Sequence, residues 1–253
     1  MPLKRAIAAA AVSVASLSSA AVAAGAPPTV VLVHGAWADG SSFAKVIPLL
    51  QAKGLDVVAV HNPMSSFEAD VDNTRRVIDD QPGDVILVGH SYGGAVITEA
   101  GNSDKVRALV YVAAFAPAAG QSVNAIVAAA PAPPEWQPSI HADARGYLSW
   151  PADAMAKYFA PDIPAGEAAV LAATQGPVFA GAFDGRITSP AFAAKPSWYL
   201  IADQDQIIPP QLQAIFAGAM GATEVHVASS HVPMLSQPQA VADAILAAVD
   251  GTR

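Results

Sequence analysis

Residues 89–93 read GHSYG, and the serine at their centre is the first candidate for chemistry. The preceding residues, 84–88, form an apolar run typical of a buried strand, and a helix-forming stretch begins soon after the motif. A tight turn from strand to helix strains the serine backbone and presents its hydroxyl at the helix N-terminus, where developing negative charge is stabilised. The spacing therefore predicts that Ser91 is a nucleophile. The competing interpretation is a serine that caps the helix of a glycine-rich turn.

A serine nucleophile needs a base, and His231 is the best placed of the six histidines. Where such a turn carries a nucleophile, the acid and then the histidine follow the serine along the chain. His226 alternates with valines inside an apolar run, whereas His231 lies just past that run, in a loop before the last helix. Loops at the carboxyl edge of a parallel sheet are where such sites assemble. The sequence thus predicts His231 as the base, and the alternative is a surface-loop histidine.

Two carboxylates follow the predicted strand at residues 198–201, namely Asp203 and Asp205. One of them is expected to orient the imidazole of the base, and the other to cap a turn in solvent. Spacing alone does not choose between them.

Two backbone N–H groups are predicted to hold the oxyanion that forms when the serine attacks. One belongs to Tyr92, the residue after the nucleophile, and the other to Ala36, in the loop after the first predicted strand. Gly35 gives that loop the freedom to turn. His34, directly before it, is interpreted as a structural residue that supports the loop rather than as a second base.

Strand-like and helical stretches alternate along the chain after residue 28. The strand-like runs are short, rich in β-branched residues and nearly continuous, which is typical of strands buried on both faces of a parallel sheet. They cover residues 29–33, 55–60, 84–88, 107–112, 198–201 and 224–227. Amphipathic stretches lie at residues 42–53, 68–80, 95–102, 210–220 and 238–249. The alternation predicts a doubly wound α/β domain with a mostly parallel sheet of about six strands.

The alternation is interrupted from about residue 118 to about residue 195, where no clear buried strand is found. Four prolines occupy the early part of this interval, and tryptophan, tyrosine and phenylalanine residues occupy its middle. A structureless loop of this length is improbable inside a compact domain. We therefore expect a mostly helical cap inserted into a single domain that spans residues 25–253.

The first 24 residues differ in composition from the rest of the chain. Lys4 and Arg5 precede a short apolar run, and small residues that end at Ala23 and Ala24 follow it. This order predicts a cleavable signal peptide and hence a secreted or periplasmic protein. A membrane anchor is the competing interpretation, but the run is weakly apolar, so no stable membrane span is expected.

The overall composition argues against several classes of function. The net charge is −8 and no large basic cluster is present, so nucleic acid is not an expected partner. The chain has no cysteine, which excludes disulfides, thiolate catalysis and cysteine-based zinc sites. With 53% hydrophobic and 13% charged residues, it can bury a large core. No metal or organic cofactor is expected, and a homodimer is left open.

Together these motifs resemble the α/β-hydrolase family, and within it the compact esterases that include plant methylesterases and hydroxynitrile lyases. The resemblance rests on residues 33–37 (VHGAW), 89–94 (GHSYGG), 205–210 (DQIIPP) and 231–235 (HVPML). It implies a helical cap at the insertion. It also selects Asp205 as the acid, because the acid of that family directly precedes the x-I-x-P element.

Two positions depart from the lyases of that group, which carry threonine in place of Gly35 and lysine in place of Val232. The lysine would stabilise departing cyanide, so the resemblance favours a hydrolase. The expected substrate is a small to medium hydrophobic carboxylic ester, cleaved through an acyl-enzyme on Ser91. A hydroxynitrile lyase, perhydrolase, amidase or lactonase that uses the same three residues stays an alternative, as does a non-catalytic ligand-binding protein on the same scaffold.

Overall fold

A six-stranded parallel sheet forms the centre of the protein in the computed structural model, which describes residues 26–252. In chain order, the strands of this part of the chain are β1 (Thr29–Val33), β2 (Val57–Val60), β3 (Val85–His90), β4 (Val106–Val112), β5 (His141–Ala142), β6 (Tyr147–Ser149), β7 (Val178–Phe179), β8 (Ser197–Ala202) and β9 (Thr223–Val227). The central sheet has the order β2-β1-β3-β4-β8-β9, with all neighbours parallel. The predicted α/β fold is confirmed.

Helices flank the central sheet. The α-helices of the described chain are α1 (Ile47–Gln51), α2 (Phe67–Asp79), α3 (Tyr92–Ala100), α4 (Val123–Ala128), α5 (Ala152–Ala154), α6 (Ala165–Thr174), α7 (Pro210–Met220), α8 (Pro233–Ser236) and α9 (Pro238–Asp250). Short 3-10 turns lie at Gly40–Phe43, Gln137–Ser139, Ala180–Asp184 and Ala191–Ala193, and a π-helical segment lies at Met155–Phe159. Helix α2 packs against α3, and α9 packs against β4 and β8.

The middle strands are apolar along their whole length because they are covered on both faces. Strands β1 and β3 are buried at every position, and the side chains of Val85, Ile86 and Leu87 have no exposed surface. Strand β9, at one end of the sheet, is exposed along most of its length. Since all six strands are parallel, the residues that follow β1, β3, β8 and β9 lie at the same edge of the sheet.

The predicted helical cap contains α4, α5, the π-helical segment and α6. It also contains a small antiparallel sheet in the order β5-β6-β7, which the sequence analysis did not predict. These strands have two or three residues each, so they are too short to show an alternating pattern. The cap is joined to the core by a hydrogen bond from Trp37 Nε1 to the backbone oxygen of Leu148 (3.0 Å).

Within residues 26–252, none of the helices combines the length and the apolar character needed to cross a bilayer. The predicted signal peptide, residues 1–24, lies outside the described residues.

Candidate active site

The three residues predicted to react lie at the carboxyl ends of three strands of the central sheet. Ser91 directly follows β3, Asp205 lies between β8 and α7, and His231 lies between β9 and α8. Because the strands are parallel, these positions meet at one edge of the sheet. The fold thereby gathers residues that are far apart in the sequence.

A chain of two hydrogen bonds connects these residues. His231 Nε2 lies 2.8 Å from Ser91 Oγ, and His231 Nδ1 lies 2.7 Å from Asp205 Oδ2. Since the carboxylate can only accept, Nδ1 carries the proton and Nε2 is free to accept the serine proton. Ser91 and Asp205 are each 4% exposed and His231 is fully buried, so water competes little for these bonds. The arrangement is the one that activates a serine nucleophile.

The backbone of Ser91 is strained. Its φ of 52° and ψ of −125° place a non-glycine residue in a sparsely populated region, which costs about 1–3 kcal/mol. The residue is also the N-cap of α3, so its hydroxyl lies at the positive end of the helix. The turn brings Gly93 close to the end of β1. A Cβ added at Gly93 would lie 2.5 Å from the oxygen of Val33, so glycine is needed at this position.

The carboxylate of Asp205 is held by several donors. Its Oδ1 accepts hydrogen bonds from the backbone N–H groups of Ile207 (2.7 Å) and Ile208 (3.1 Å). Its Oδ2, which faces His231, also accepts from Gln213 Nε2 at 2.9 Å. These bonds fix the orientation of the carboxylate relative to the imidazole.

Sequence reasoning missed Gln213, a fully buried residue of α7. It shares the buried face of that helix with Phe216 and Ala217. A polar glutamine on the apolar face of a helix needs buried hydrogen-bond partners. Its place among apolar residues is therefore the signal by which the sequence could have indicated a role for Gln213.

His90, the residue before the nucleophile, holds the backbone of His231. Its Nε2 lies 2.7 Å from the carbonyl oxygen of His231, so Nε2 carries the proton and donates it. Burial and the neighbouring His231 hold the pKa of His90 well below its usual value. His90 therefore remains a neutral imidazole whose N–H holds the loop that contains His231.

Ala36 and Tyr92, the residues predicted to form the oxyanion hole, border the same cavity as Ser91. Tyr92 is the first residue of α3, so its N–H belongs to the first turn, where donors have no partner within the helix. Beside Ala36 the chain turns sharply, and Trp37 has a φ of 59°. Both predicted donors thus belong to residues that border the space above the nucleophile.

The side chain of Tyr92 is anchored by a buried carboxylate that the sequence analysis also missed. Tyr92 donates its hydroxyl proton to Asp70 Oδ2 (2.8 Å), and the backbone N–H of Met64 donates to Asp70 Oδ1 (2.8 Å). Burial raises the pKa of Asp70 to about 6, although these hydrogen bonds oppose the rise. Asp70 thereby links α2 to the first residue of α3.

Two other residues considered in the sequence lie apart from the reacting atoms. Asp203 Oδ1 is 2.8 Å from Nδ1 of His226, and this pair lies at the surface. His34 is buried and accepts a hydrogen bond from the backbone N–H of Asn62 at Nε2 (3.1 Å), while its Nδ1 donates to the oxygen of Gly35 (2.8 Å). His34 thus supports the loop that contains Ala36.

A family model described as the alpha/beta hydrolase family matches residues 30–244. This range includes the residues that line the site and most of the described chain. The chain belongs to the alpha/beta hydrolase family. The resemblance seen in the sequence is therefore confirmed at the level of the family.

This alpha/beta hydrolase is similar to several esterases and hydrolases. It is 36% identical over 119 residues to the carbendazim hydrolyzing esterase of Nocardioides sp. (strain SG-4G), covering 42% of this chain and 49% of that protein. The match thus spans about half the length of that relative. The structure is similar to a pyrethroid hydrolase from Sphingobium faniae JZ-2 (TM-score 0.76, 23% identity, 88% and 97% of the two chains). It is also similar to polyneuridine aldehyde esterase (TM-score 0.75, 20% identity, 87% and 98%). These structural likenesses show the fold.

The alpha/beta hydrolase has a cavity of about 250 Å³ that Ser91 borders. Apolar side chains of the core and the cap, among them Trp37, Leu148 and Phe183, form much of its wall. Within the described residues, no charged side chain lines it. No cluster of three or more His, Cys, Asp or Glu side chains in residues 26–252 could hold a metal ion.

A second cavity, of about 520 Å³, lies beside the first. Four residues line both cavities, and we call them the collar: Phe115, Val127, Trp136 and Ile207. The second cavity is lined mainly by apolar residues, with Glu135 and Gln206 among its polar ones. The collar therefore lies between a smaller cavity at Ser91 and a larger apolar cavity.

The two positions that distinguish this alpha/beta hydrolase from the lyases are both tightly packed. A Cβ added at Gly35 would lie 2.7 Å from Ser91 Cβ and 3.1 Å from His90 Nδ1. A threonine at this position would thus require Ser91 or the loop of Gly35 to shift. Val232 is 2% exposed and does not line the cavity that Ser91 borders.

Proposed function

We propose that the protein is a serine-dependent hydrolase of carboxylic esters. The proposal rests on one observation, the hydrogen-bonded chain from Asp205 through His231 to Ser91, which ends beside an apolar cavity. An acid, a base and a hydroxyl in this order activate the serine for attack on an acyl carbon. Membership of the alpha/beta hydrolase family and the esterases among the similar proteins support the same class of reaction.

The first half of the reaction transfers the acyl group to the enzyme. Ser91 Oγ bonds to the ester carbonyl carbon while its proton passes to His231 Nε2, and the carbonyl electrons move onto oxygen. The N–H groups of Ala36 and Tyr92 stabilise this oxyanion. When the intermediate collapses, the bond to the alcohol oxygen breaks and the leaving alcohol takes the proton from His231.

The second half of the reaction uses water. His231 removes a proton from the water molecule as its oxygen bonds to the acyl carbon, and the proton then passes to Ser91 Oγ as the acyl bond breaks. In both halves the carboxylate of Asp205 stabilises the imidazolium and keeps Nδ1 protonated. The products are a carboxylic acid and an alcohol.

The cavity at Ser91 favours an uncharged ester with apolar substituents. A charged group placed there without a partner would lose its hydration and gain no compensating charge. The ester carbonyl must lie in the smaller cavity, because Ser91 borders only that one. The larger cavity beyond the collar then suits an elongated apolar substituent of the ester. The proposed substrate is therefore an ester with one compact and one bulky apolar part.

A panel of uncharged esters of increasing length tests the proposal. We expect the purified protein, residues 25–253, to hydrolyse several of them and to be labelled at Ser91 by a fluorophosphonate probe. The Ser91→Ala variant should lose activity by at least about a thousandfold, whereas Ser65→Ala, at an exposed serine, should keep it. Mandelonitrile should not be cleaved. A protein that hydrolyses no ester and takes no label would refute the proposal.

We also propose that the enzyme acts outside the cytoplasm, in a secreted or periplasmic form. This rests on the basic, apolar and small-residue order of residues 1–24. N-terminal sequencing of the protein exported by its own host should find a start near Ala24, and a mature protein that begins at Met1 would contradict the proposal.

A further inference from the structure

A segment of the cap contacts the loop that carries the base. The segment consists of residues 159–162, at the end of the π-helical stretch, and the loop consists of residues 229–231. The ring of Phe159 lies edge-on to the imidazole of His231, with 4.9 Å between ring centroids and 76° between planes. Phe159 is 2% exposed, so this contact is inside the protein.

Asp162 binds the same loop through its carboxylate. Its Oδ2 accepts hydrogen bonds from the backbone N–H of Ser230 (2.8 Å) and the hydroxyl of Ser229 (3.2 Å). Its Oδ1 accepts a further hydrogen bond from the hydroxyl of Ser230. Partial burial alone would raise the pKa of Asp162, but the hydrogen bonds from Ser230 outweigh it and hold the pKa below the usual value. The side chain of Asp162 is therefore a carboxylate at neutral pH, and it accepts hydrogen bonds from three donors of Ser229 and Ser230.

The loop of the base is thus held from two sides. On the core side, His90 donates to the carbonyl oxygen of His231 (2.7 Å). On the cap side, Asp162 accepts from the N–H of Ser230, the residue directly before His231. These two backbone contacts lie on adjacent residues, so together they set the position from which the imidazole reaches Ser91. Only the first of them belongs to the sheet domain.

We infer that Asp162 is a positioning residue for the base and that it couples the placement of the cap to the placement of His231. The inference rests on the proposed function, since His231 matters as a base only if Ser91 is a nucleophile. Without the carboxylate, the loop retains its core contact but can drift on the cap side. Nε2 would then lie less often within hydrogen-bonding distance of Ser91 Oγ, and a misplacement of this kind reduces the rate of the chemical step.

A comparison of Asp162→Ala, Asp162→Asn and Glu167→Ala tests the inference. Asp162→Ala removes all three acceptor contacts and should lower kcat by about tenfold with KM changed less than about twofold. In Asp162→Asn the amide oxygen can accept from Ser230 N–H, and the amide nitrogen can donate to the Ser230 hydroxyl, so kcat should recover to within about threefold of wild type. Glu167 is the matched control, because its carboxylate also joins cap to core, to Lys45 Nζ (2.7 Å), but away from His231.

The outcomes separate this inference from the proposed function. A wild-type protein that cleaves no ester and takes no serine label refutes the proposed function. An active wild type with an unchanged kcat in folded Asp162→Ala refutes the inference, as does a rise in KM alone or an equal loss in Glu167→Ala. If Asp162→Ala does not fold, Ser230→Ala replaces it. That variant keeps the N–H contact to Asp162 but loses the hydrogen bonds of the hydroxyl to Asp162 and to the oxygen of Phe159 (3.4 Å). It should lower kcat by about threefold to tenfold, and wild-type kcat in it would also refute the inference.

Discussion

Gln213 Nε2 donates to the same oxygen of Asp205, Oδ2, that faces Nδ1 of His231. Gln213 is itself fixed at its other end, where its Oε1 accepts from the backbone N–H of Ala202 (3.0 Å). Its Nε2 also donates to the oxygen of Ile208 (2.7 Å). Gln213, a residue of helix α7, thus helps to fix the carboxylate of Asp205 beside the imidazole of His231.

Replacing Gln213 should impair the reaction while leaving the nucleophile in place. Gln213→Leu removes a donor from Asp205 and leaves the N–H of Ala202 buried without a partner, which costs about 1–3 kcal/mol of stability. We expect kcat for ester hydrolysis to fall by about tenfold with little change in KM. The control is Gln211→Leu, at an exposed position of the same helix, which should retain wild-type kcat. Equal kcat in both variants would show that Gln213 has only a structural role.

The two carboxylates after β8 should differ in their effect on activity. Asp205→Asn removes the acceptor that orients His231 and the charge that stabilises its imidazolium, so kcat should fall by about ten-thousandfold. Asp203→Asn disturbs only a surface pair with His226 and should change kcat by less than about twofold. Steady-state kinetics of the two variants on one ester provides the measurement. A large loss of kcat in Asp203→Asn, with little loss in Asp205→Asn, would instead assign the role of the acid to Asp203.

Asp70 should make stability depend on pH. Because burial raises the pKa of Asp70 to about 6 in the folded protein, from an ordinary value of 3.8, the folded state binds its proton more tightly than the unfolded chain. Stability from this group is therefore present below about pH 4 and lost as the pH rises to about 6. Relative to wild type, Asp70→Asn should gain up to about 3 kcal/mol of unfolding free energy across this window.

Urea unfolding of wild type and Asp70→Asn at a series of pH values from about 4 to 8 gives this difference. The control is Asp72→Asn on the same helix, where the side chain is 76% exposed and pairs only loosely with Arg75 (3.5 Å). We expect Asp72→Asn to differ from wild type by a small and constant amount. A difference for Asp70→Asn that does not change with pH would contradict the prediction.

Narrowing the collar should change which esters are cleaved. Val127 lines both cavities, so the larger side chain of Val127→Trp should fill space between them and hinder binding of a long substituent. We expect kcat/KM for long-chain esters to fall by about tenfold or more, and kcat/KM for an acetate ester to stay within about twofold of wild type. Val170→Trp, at a position of α6 that is 60% exposed, is the control and should not alter the chain-length profile. A parallel loss for short and long esters would argue against two compartments.

Much of the fold is predictable because its signal is local. The predicted ranges 29–33 and 210–220 coincide with β1 and α7, since both have a clear hydrophobic pattern and proline or glycine near their ends. Helix α3 begins at Tyr92, three residues before the predicted start. The difference arises because Gly93 and Gly94 disfavour a helix locally, whereas the close approach of neighbouring backbone at these positions requires glycine.

The residues that support the site were harder to find. Motifs predict Ser91 and His231, whereas the prediction of Asp205 over Asp203 depends on a family resemblance, because spacing alone does not distinguish the two carboxylates. Asp162 carries no local signal, since its partner Ser230 is 68 residues away. The cap strands also leave no signal in the sequence, because segments of two or three residues are too short to show an alternating pattern. In each case the feature depends on a contact between segments that are distant in the sequence, and a local sequence pattern does not show such a contact.

The hydrogen bond between Ser91 and His231 joins residues that are 140 positions apart. A chain emerging from the ribosome therefore contains Ser91 long before His231, whose loop follows β9, the strand that pairs with β8. During synthesis, the hydroxyl of Ser91 therefore exists before His231 Nε2, its hydrogen-bond partner in the folded protein. Under the proposed mechanism, such an intermediate does not react with esters, and reactivity begins only when the carboxyl-terminal strand has joined the sheet.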